Sequence, residues 1–540
     1  MTLGDLISGF GLRLRDPGAA GVRICDITED SRTVMPGSLF IARRGERHDG
    51  RVHIAGAVRA GAAAVLVDAG DGDVKPAGVP IVEADDIMLA MAQLGERFYG
   101  DPSSSMALIG VTGTNGKTTV AHLAHQLMGR AGKRCGLIGT VTIDDGVDLV
   151  PASMTTPGAI ELSRLLSVML ESGCEAVAME VSSHALEQKR VAALRFKVGV
   201  FTNLTGDHLD YHGSMEAYAR AKRRLFELLP DDGLAIINSA DPHARDMVAK
   251  CPARILKCAI GQAPDAEGCA ISGVPAGPMR THVKLVGPWG EIEGDVALVG
   301  EHNLMNLLQA VAAVHGAGAP RERIEAALRW ISAPPGRCEP VIARDDSGAP
   351  IEAHFTTLVD FAHTDDALRS ALTALRPALP TGGKLRVVFG CGGDRDTSKR
   401  PRMGAVASEL ADHVIITSDN PRTEDPEAII SEILAGAPAS THSRIDTEAD
   451  RERAIRLAVS AAREGDIVLI AGKGHEKEQI LPDGHGGTAP RPFDDLLIAA
   501  EAIRRRFAGI TEQSAPPAIV STPTEHAERS AGAHSREERG

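Results

Sequence analysis

The sequence predicts an α/β protein of three domains followed by a disordered tail, and three observations carry that prediction. Apolar runs alternate with helix-patterned segments through most of the chain, the pattern of a mainly parallel sheet. One such run, residues 107–111, leads through a Gly-rich turn into the helix-patterned stretch 120–127. A length of 540 residues exceeds what one hydrophobic core serves and suits about three domains.

The first block, residues 1–104, has short strand-like runs at 38–42 and 62–68 around a helix-like segment at 53–60. Asp101-Pro-Ser-Ser-Ser105 has the composition of a linker. The second block, 105–335, opens on the Gly-rich turn and continues with apolar runs at 176–181, 198–204 and 234–238. Pro334-Pro335-Gly336 marks its end. The third block, 336–508, repeats the alternation, with strands expected at 385–390, 413–418 and 466–472. The tail, 509–540, is rich in Ser, Pro, Ala, Glu and Arg, has little to bury, and is expected to be disordered. No internal repeat is visible.

Composition narrows the classes. A content of 43% hydrophobic and 24% charged residues is ordinary for a soluble globular chain. Aromatic residues make up only 3%, which disfavours stacking on nucleic acid. The net charge of −14 repels polyanions at long range, so neither nucleic acid nor an anionic membrane is an expected partner. A polyphosphate must then be captured by local basic groups and helix ends. Eight scattered cysteines without a Cys-x-x-Cys pair indicate free thiols in a reducing compartment. The N-terminus lacks a signal-peptide pattern and no run of 18 apolar residues occurs, so a cytoplasmic protein without membrane insertion is expected.

The segment Gly110-Val-Thr-Gly-Thr-Asn-Gly-Lys-Thr-Thr119 reads as a phosphate-binding loop. Backbone N–H groups between a strand and a helix N-terminus wrap a polyphosphate, with Lys117 reaching its terminal phosphates and Thr118 holding Mg²⁺. The general pattern places Gly at position 111, where this chain has Val111. The bland alternative is a glycine turn with an accidental Lys-Thr.

Further motifs follow other apolar runs, where the carboxyl ends of strands line the ligand crevice of an α/β sheet. Glu180, in Met179-Glu-Val-Ser-Ser-His-Ala-Leu186, and His208, in the stretch 201–212, are placed to approach a nucleotide-bound Mg²⁺. Their alternatives are a helix-start carboxylate and a loop histidine. Asp360, in Val359-Asp-Phe-Ala-His-Thr364, suits ribose or a metal, against a solvated turn aspartate. Gly390-Cys-Gly-Gly-Asp-Arg-Asp396 is a second Gly-rich strand exit. In Ser418-Asp-Asn-Pro-Arg-Thr-Glu-Asp-Pro426, Arg422 can pair with a carboxylate and Asp419 with an ammonium, which suits a zwitterion. A capping turn is the alternative there. Ala471-Gly-Lys-Gly-His-Glu476 also leaves an apolar strand.

Together these motifs resemble the Mur ligase family, in its meso-diaminopimelate-adding form. The resemblance spans roughly residues 20–508 and rests on GTNGKTT, EVSSHAL, TNLTGDHLDYHG, HNLMN (302–306), PGR (335–337), DFAHT, GCGGDRD, DNPR and GKGHE, in the family's order. It implies an N-terminal UDP-binding domain, a central ATPase domain and a Rossmann-like C-terminal domain. It implies ATP-dependent amide formation in peptidoglycan precursor synthesis through an acyl phosphate. The implied partners are ATP, UDP-N-acetylmuramoyl-L-Ala-D-Glu and meso-diaminopimelate, with the chain a monomer.

The same resemblance implies roles for residues. Gly113, Thr114, Asn115, Gly116, Lys117, Thr118 and Thr119 match the ATP loop, and Asn303, Arg337 and Asp360 match adenine, phosphate and ribose contacts. Ser31, Glu46, Arg47 and His48 match the UDP end of the substrate site. Thr155, Thr156, Ser182, Gln188 and Arg190 match contacts to the muramoyl-dipeptide. Arg395, Asp419, Asn420, Pro421, Arg422, Gly472 and Glu476 match the amino-acid pocket. Thr118, Glu180, His208 and Lys222 resemble the Mg²⁺ site, Lys222 as a carbamate, and Lys117, Lys222 and His208 carry the catalytic expectation. Nothing local distinguishes Lys222 from a surface helix lysine. Three positions depart from the family pattern: Gly206 for a charged residue, Phe361 for Tyr and Asp365 for Pro.

The chemistry is consistent with that layout. A carboxylate is a poor electrophile until phosphorylated, and Mg²⁺, Lys117 and helix ends would neutralise the assembled anions. An alkyl amine costs about 4–5 kcal/mol to deprotonate at pH 7, so a base such as His208 or His363 has a role to fill. Arg422 gives the second carboxylate of diaminopimelate a partner that lysine would leave unpaired. Other readings are a lysine-adding ligase of the same family, a kinase or plain ATPase, and a silent nucleotide-binding sensor.

Overall fold

The computed structural model describes residues 1–45, 49–70, 78–263, 265–277, 279–438 and 443–507. The expectations for Glu46, Arg47 and His48, and for the tail 509–540, lie outside the described residues.

Among the described residues the chain builds three sheets backed by helices and one small hairpin. The N-terminal sheet runs in the order Arg13–Leu14, Ile81–Ala84, Ala64–Asp68, Ser38–Ile41, Asp26–Thr28, parallel except at the Arg13–Leu14 edge. Helix Ile87–Phe98 covers one face, with Leu94 and Met91 buried against Leu39 and Leu66. The helix starts where Asp86 accepts the Leu89 N–H at 3.0 Å, satisfying an otherwise orphan donor.

The Asp101-to-Ser105 stretch is a packed joint and not a free linker. It forms a short 3₁₀ turn at Pro102–Ser104 in which Ser103 is buried. Buried Glu96 accepts from the Ser103 N–H at 3.3 Å and from Ser163 of the next unit at 2.9 Å. Ser and Pro read as linker by composition, but a buried carboxylate requires donors, and these serines supply them.

The central sheet has eleven strands. Ala107–Thr112 lies in its middle, parallel to Ala176–Glu180 on one side and Phe196–Phe201 on the other. These strands are mostly apolar because helices cover both faces; Thr112 and Glu180 stand at their carboxyl ends. Helix Lys117–Arg130 packs on helix Glu301–Gly316, whose Leu307, Leu308 and Val311 are fully buried. The sheet ends in antiparallel strands, Arg280–Gly287 and Gly290–Val296 at one edge, Thr142–Asp144 and Leu149–Pro151 at the other.

The third sheet runs Glu339–Pro340, Thr356–Asp360, Ile467–Ala471, Leu385–Phe389, His413–Thr417, Arg444–Glu448, parallel after its first strand. A hairpin of Glu478–Pro482 and Thr488–Pro492 stands beside it. The order doubles back around its centre, so the strand exits open onto one crevice.

Candidate active site

The loop leaving the central strand shows why Val111 is tolerated. Its side chain is fully buried in the sheet, away from the turn. The positions that require glycine lie further along. Gly113 has φ +147°, and a Cβ there would stand 1.9 Å from Thr202 Oγ1. At Gly116, φ is +85° and a Cβ would meet Asn306 Oδ1 at 2.6 Å. Asn203 braces the turn by accepting the Thr114 N–H at its carbonyl (2.8 Å) and the Asn115 N–H at Oδ1 (2.9 Å). Thr119 is buried in the first turn of the following helix. Lys117 Nζ donates to the carbonyls of Gly113 and Thr114 at 3.0 and 2.8 Å.

Glu180 ends the neighbouring strand and is fully buried. It accepts from Thr118 Oγ1 at 3.0 Å, from the Thr140 N–H at 2.7 Å and from Thr140 Oγ1 at 3.0 Å. Thr118 and Glu180 thus offer hard oxygen donors side by side, the donor type Mg²⁺ takes alongside nucleotide phosphates. Among the described residues no three His, Cys, Asp or Glu side chains converge into an all-protein metal cage. His208 sits at φ +53° beside Asp207 (3.4 Å), its ring 4.9 Å from that of His184. Burial lowers its pKa against the pull of Asp207, and His184, Lys117 and Lys222 lower it further. The neutral imidazole so favoured is the form that binds metals or accepts a proton.

Lys222 projects from helix Met215–Glu227 into the interior and is 1% exposed, so it is no surface lysine. Its Nζ donates to the Gly113 carbonyl at 2.7 Å and lies 4.3 Å over the Tyr218 ring. Burial pushes its pKa far below the usual lysine range, and the charge of Lys117 pushes in the same direction. A neutral amine is the form that reacts with CO₂, so the site suits a carbamate.

The far wall comes from the third sheet and the segment leading to it. Arg337 stacks its guanidinium 4.7 Å over the Phe361 ring, and Nη2 lies 3.5 Å from Thr118 Oγ1. Its Nε is buried without a hydrogen-bond partner. Phe361 needs no hydroxyl for that stacking, so the departure from Tyr costs nothing there. Asp360 is buried and not a solvated turn residue; it accepts the Cys338 and Ala362 N–H groups at 2.7 and 2.8 Å. Asn303 donates to the Val299 carbonyl at 2.8 Å. Asp365 joins the first turn of helix Asp365–Leu375 and pairs with Arg402 at 3.0 Å, a favourable place for a carboxylate. One cleft of about 830 Å³ gathers Lys117, Glu180, His208, Lys222, Asn303 and Arg337.

In the same cleft, Thr156 Oγ1 donates to the Glu180 carbonyl at 2.8 Å and accepts the Ser182 N–H at 3.1 Å. Ser182 caps the short helix Ser183–Glu187. Arg190 donates to the Thr156 carbonyl at 2.7 Å and to Gln188 Oε1 at 2.7 and 3.1 Å, while Thr155 and Thr140 share hydroxyls at 3.0 Å. These five expected substrate contacts therefore form one bonded group. Ser31 lies on the N-terminal unit, half-buried in a turn closed by Arg32 on Asp30 (2.7 Å), outside that group.

The residues expected to hold an amino acid come together at the strand exits of the third sheet, outside the lining of the nucleotide cleft. Asn420 Nδ2 donates to Glu476 Oε2 at 2.9 Å. A Cβ on Gly472, φ +116°, would stand 2.5 Å from Asp419 Oδ2. Pro421 leads into Arg422, which takes φ +54°, donates its N–H to the Ile480 carbonyl at 3.1 Å and its Nη1 to the Gly393 carbonyl at 2.7 Å. Burial lowers the Arg422 pKa, and the nearby charge of Arg395 adds to that. The nucleotide cleft and this group of residues meet at a tight seam. A Cβ on Gly336 would meet the His475 backbone nitrogen at 2.3 Å, and one on Gly474 would meet Phe361 Cβ at 2.7 Å.

Two features escaped the sequence reading. Thr140 belongs to no motif, yet it holds Glu180 through both its N–H and its hydroxyl. Lys473 lies inside a motif but was not singled out; it is fully buried and donates to Asn420 Oδ1 and Glu476 Oε2 at 3.0 and 2.9 Å. The one signal was its place at a strand exit inside the 471–476 motif; its burial comes from tertiary packing.

Family patterns match in three places: the Mur ligase family catalytic domain at residues 23–99, the Mur ligase middle domain at 111–314 and the Mur ligase glutamate ligase domain at 347–474. A UDP-N-acetylmuramoyl-L-alanyl-D-glutamate--2,6-diaminopimelate ligase of Synechococcus sp. (strain WH7803) is 44% identical over 512 residues, covering 93% of this chain and 99% of that one. The chain belongs to the Mur ligase family. The similarly named ligase of Streptomyces coelicolor is 41% identical over 508 residues, covering 93% and 96% of the two chains. A solved structure of a ligase with that same name aligns with TM-score 0.67 at 31% identity over 94% of this chain and 99% of that one. A Thermotoga maritima MurF ligase in complex with ADP shares the fold, with TM-score 0.60 at 18% identity over 90% and 98%. The three-domain α/β reading of the sequence therefore stands, and the family assignment with it. Among the described residues no helix is long and apolar enough to cross a membrane.

Proposed function

We propose that this Mur ligase joins meso-diaminopimelate to UDP-N-acetylmuramoyl-L-alanyl-D-glutamate, with ATP cleaved to ADP and phosphate. The observation that carries the reading is that the nucleotide cleft abuts a second, unlike group of polar residues across the Gly336–Gly474 seam. The first is lined by Lys117, Thr118, Glu180 and Lys222, and the second comprises Asp419, Asn420, Arg422 and Glu476. The first suits a triphosphate and the second a zwitterion with an extra carboxylate.

In this reading Lys117 and the loop N–H groups orient the terminal phosphate, and Arg337 balances charge on it as it transfers to the substrate carboxylate. Thr118, Glu180, His208 and carbamylated Lys222 would hold Mg²⁺, which offsets negative charge on the phosphates. The Thr155, Thr156, Ser182, Gln188 and Arg190 group holds the muramoyl-dipeptide, with Ser31 toward the nucleotide-sugar end. Domain boundaries are taken near residues 104 and 335, between the stretches that build the three sheets, and the ligase acts as a cytoplasmic monomer.

The amine attacks the acyl phosphate and phosphate leaves. With His208 on the metal, His363 is left as the base: it lines the nucleotide cleft, burial favours its neutral form, and with Nδ1 on the Phe361 carbonyl at 3.0 Å its Nε2 can accept the ammonium proton. The test is product formation from ATP and UDP-muramoyl-dipeptide with meso-diaminopimelate or L-lysine in parallel. Tripeptide product with diaminopimelate and little with lysine is expected. Phosphate release without any amino-acid dependence would overturn the reading.

A further inference from the structure

Lys473 is the one fully buried ammonium of the amino-acid pocket, and it touches both polar groups on that side. Asn420 Oδ1 receives two donors that have no acceptor capacity, Lys473 Nζ at 3.0 Å and the Ile480 N–H at 3.0 Å. Its Nδ2 must then face away from them, and it donates one hydrogen to Glu476 Oε2 at 2.9 Å. A flipped amide would set its NH₂ group against two donors and strand Glu476, so the bonding pattern admits one orientation. Glu476 Oε2 is likewise occupied by Lys473 and Asn420, which leaves Oε1 to face a ligand. Burial acts against the charge of Glu476, but Lys473, Asn420 and His475 together outweigh it and hold the carboxyl below its ordinary range.

We propose that Lys473 is a positioning residue that sets the hydrogen-bond polarity of the amino-acid pocket. It locks the Asn420 amide so that an N–H is presented to an incoming carboxylate, and it keeps Glu476 as the acceptor for an ammonium. The proposal rests on the reading of the 419–422 loop as the amino-acid site. Without Lys473 only the Ile480 N–H and Glu476 hold that orientation, so the amide is fixed less firmly and its oxygen can turn toward the pocket, where it would repel a carboxylate.

Steady-state kinetics of Lys473→Met and Lys473→Gln test this in the full chain, varying meso-diaminopimelate and ATP separately. The methionine variant is expected to raise the KM for diaminopimelate by about tenfold or more. The glutamine variant, which returns an N–H, is expected to raise it by about threefold. The KM for ATP should stay within about twofold in both. Adding Asn420→Ala to the folded Lys473 variant should cost little more than the worse single change, because both act through one amide. If only the glutamine variant folds, its diaminopimelate KM decides. An unchanged diaminopimelate KM in a folded variant, a parallel rise in the ATP KM, or multiplying effects in the double variant would overturn the proposal. A wild-type chain that forms no product with diaminopimelate would instead remove the underlying reading, and this one with it.

Discussion

Lys117 and Lys222 donate to the same acceptor, the carbonyl oxygen of Gly113, at 3.0 and 2.7 Å. Two ammonium groups that close repel, and the fully buried one yields its proton first. Burial and then the charge of Lys117 push the Lys222 pKa down and so favour its neutrality.

That neutrality predicts a dependence on dissolved CO₂. Activity should fall in CO₂-depleted buffer and return with bicarbonate. Carbon-13 bicarbonate should give a carbamate resonance that Lys222→Met lacks. Equal activity with and without CO₂, and no such resonance, would remove the carbamate from the account.

Gly113→Ala should abolish nucleotide use while leaving the fold intact. The added methyl would overlap Thr202 Oγ1 at 1.9 Å in a left-handed backbone. Relief of that overlap must shift the turn, and a misplacement of about 1 Å costs on the order of a hundredfold in rate. ATP-dependent product formation and circular dichroism together check this.

Replacing Arg422 by alanine should erase the preference for diaminopimelate over lysine. The guanidinium is anchored on the Gly393 carbonyl and its backbone on Ile480, so its direction is fixed before any ligand arrives. The ratio of the two kcat/KM values is expected to fall by roughly tenfold to a hundredfold, the scale of a charge-assisted pair. An unchanged ratio assigns selectivity elsewhere.

Beneath the same pocket, Arg451 and Asp495 form an ion pair with neither side chain exposed, at 2.7 Å. Arg451 also donates to the Ala471 and Ser418 carbonyls at 3.0 and 3.4 Å, the last residues before the two pocket loops. Asp495→Ala should destabilise the protein by about 3–5 kcal/mol, because it leaves a buried charge unpaired. Urea unfolding of the variant measures that loss.

Glu96 gives a pH signature. Burial raises its pKa above the ordinary 4.5 and outweighs the donors Ser103 and Ser163. The folded state therefore holds its proton longer than the unfolded state. Stability from this group is present at low pH and is lost as pH rises through the raised value. Glu96→Gln cannot lose a proton, so the Tm difference, variant minus wild type, should grow between pH 4 and pH 8. A constant difference would remove the effect.

The sequence was most legible where backbone rules act locally. The strand at Ala107–Thr112, the helix that follows it and the strand exits carrying Glu180 and Asp419 lie where the apolar runs and glycines pointed. The fate of Lys222 was illegible, because its burial comes from packing 109 residues away from Gly113. The Ser103 turn misled because serine composition says nothing about whether Glu96 stands near. Lys473 was visible as a letter, but its partners are set by tertiary contacts.

The seam at Gly336 and Gly474 leaves no side chain between the stretch bearing Arg337 and the one bearing Lys473 and Glu476. Backbone rests on backbone there, so neither loop can be displaced without pushing the other. The two flanks thereby meet like gear teeth cut without play, main chain against main chain with no side chain to cushion them.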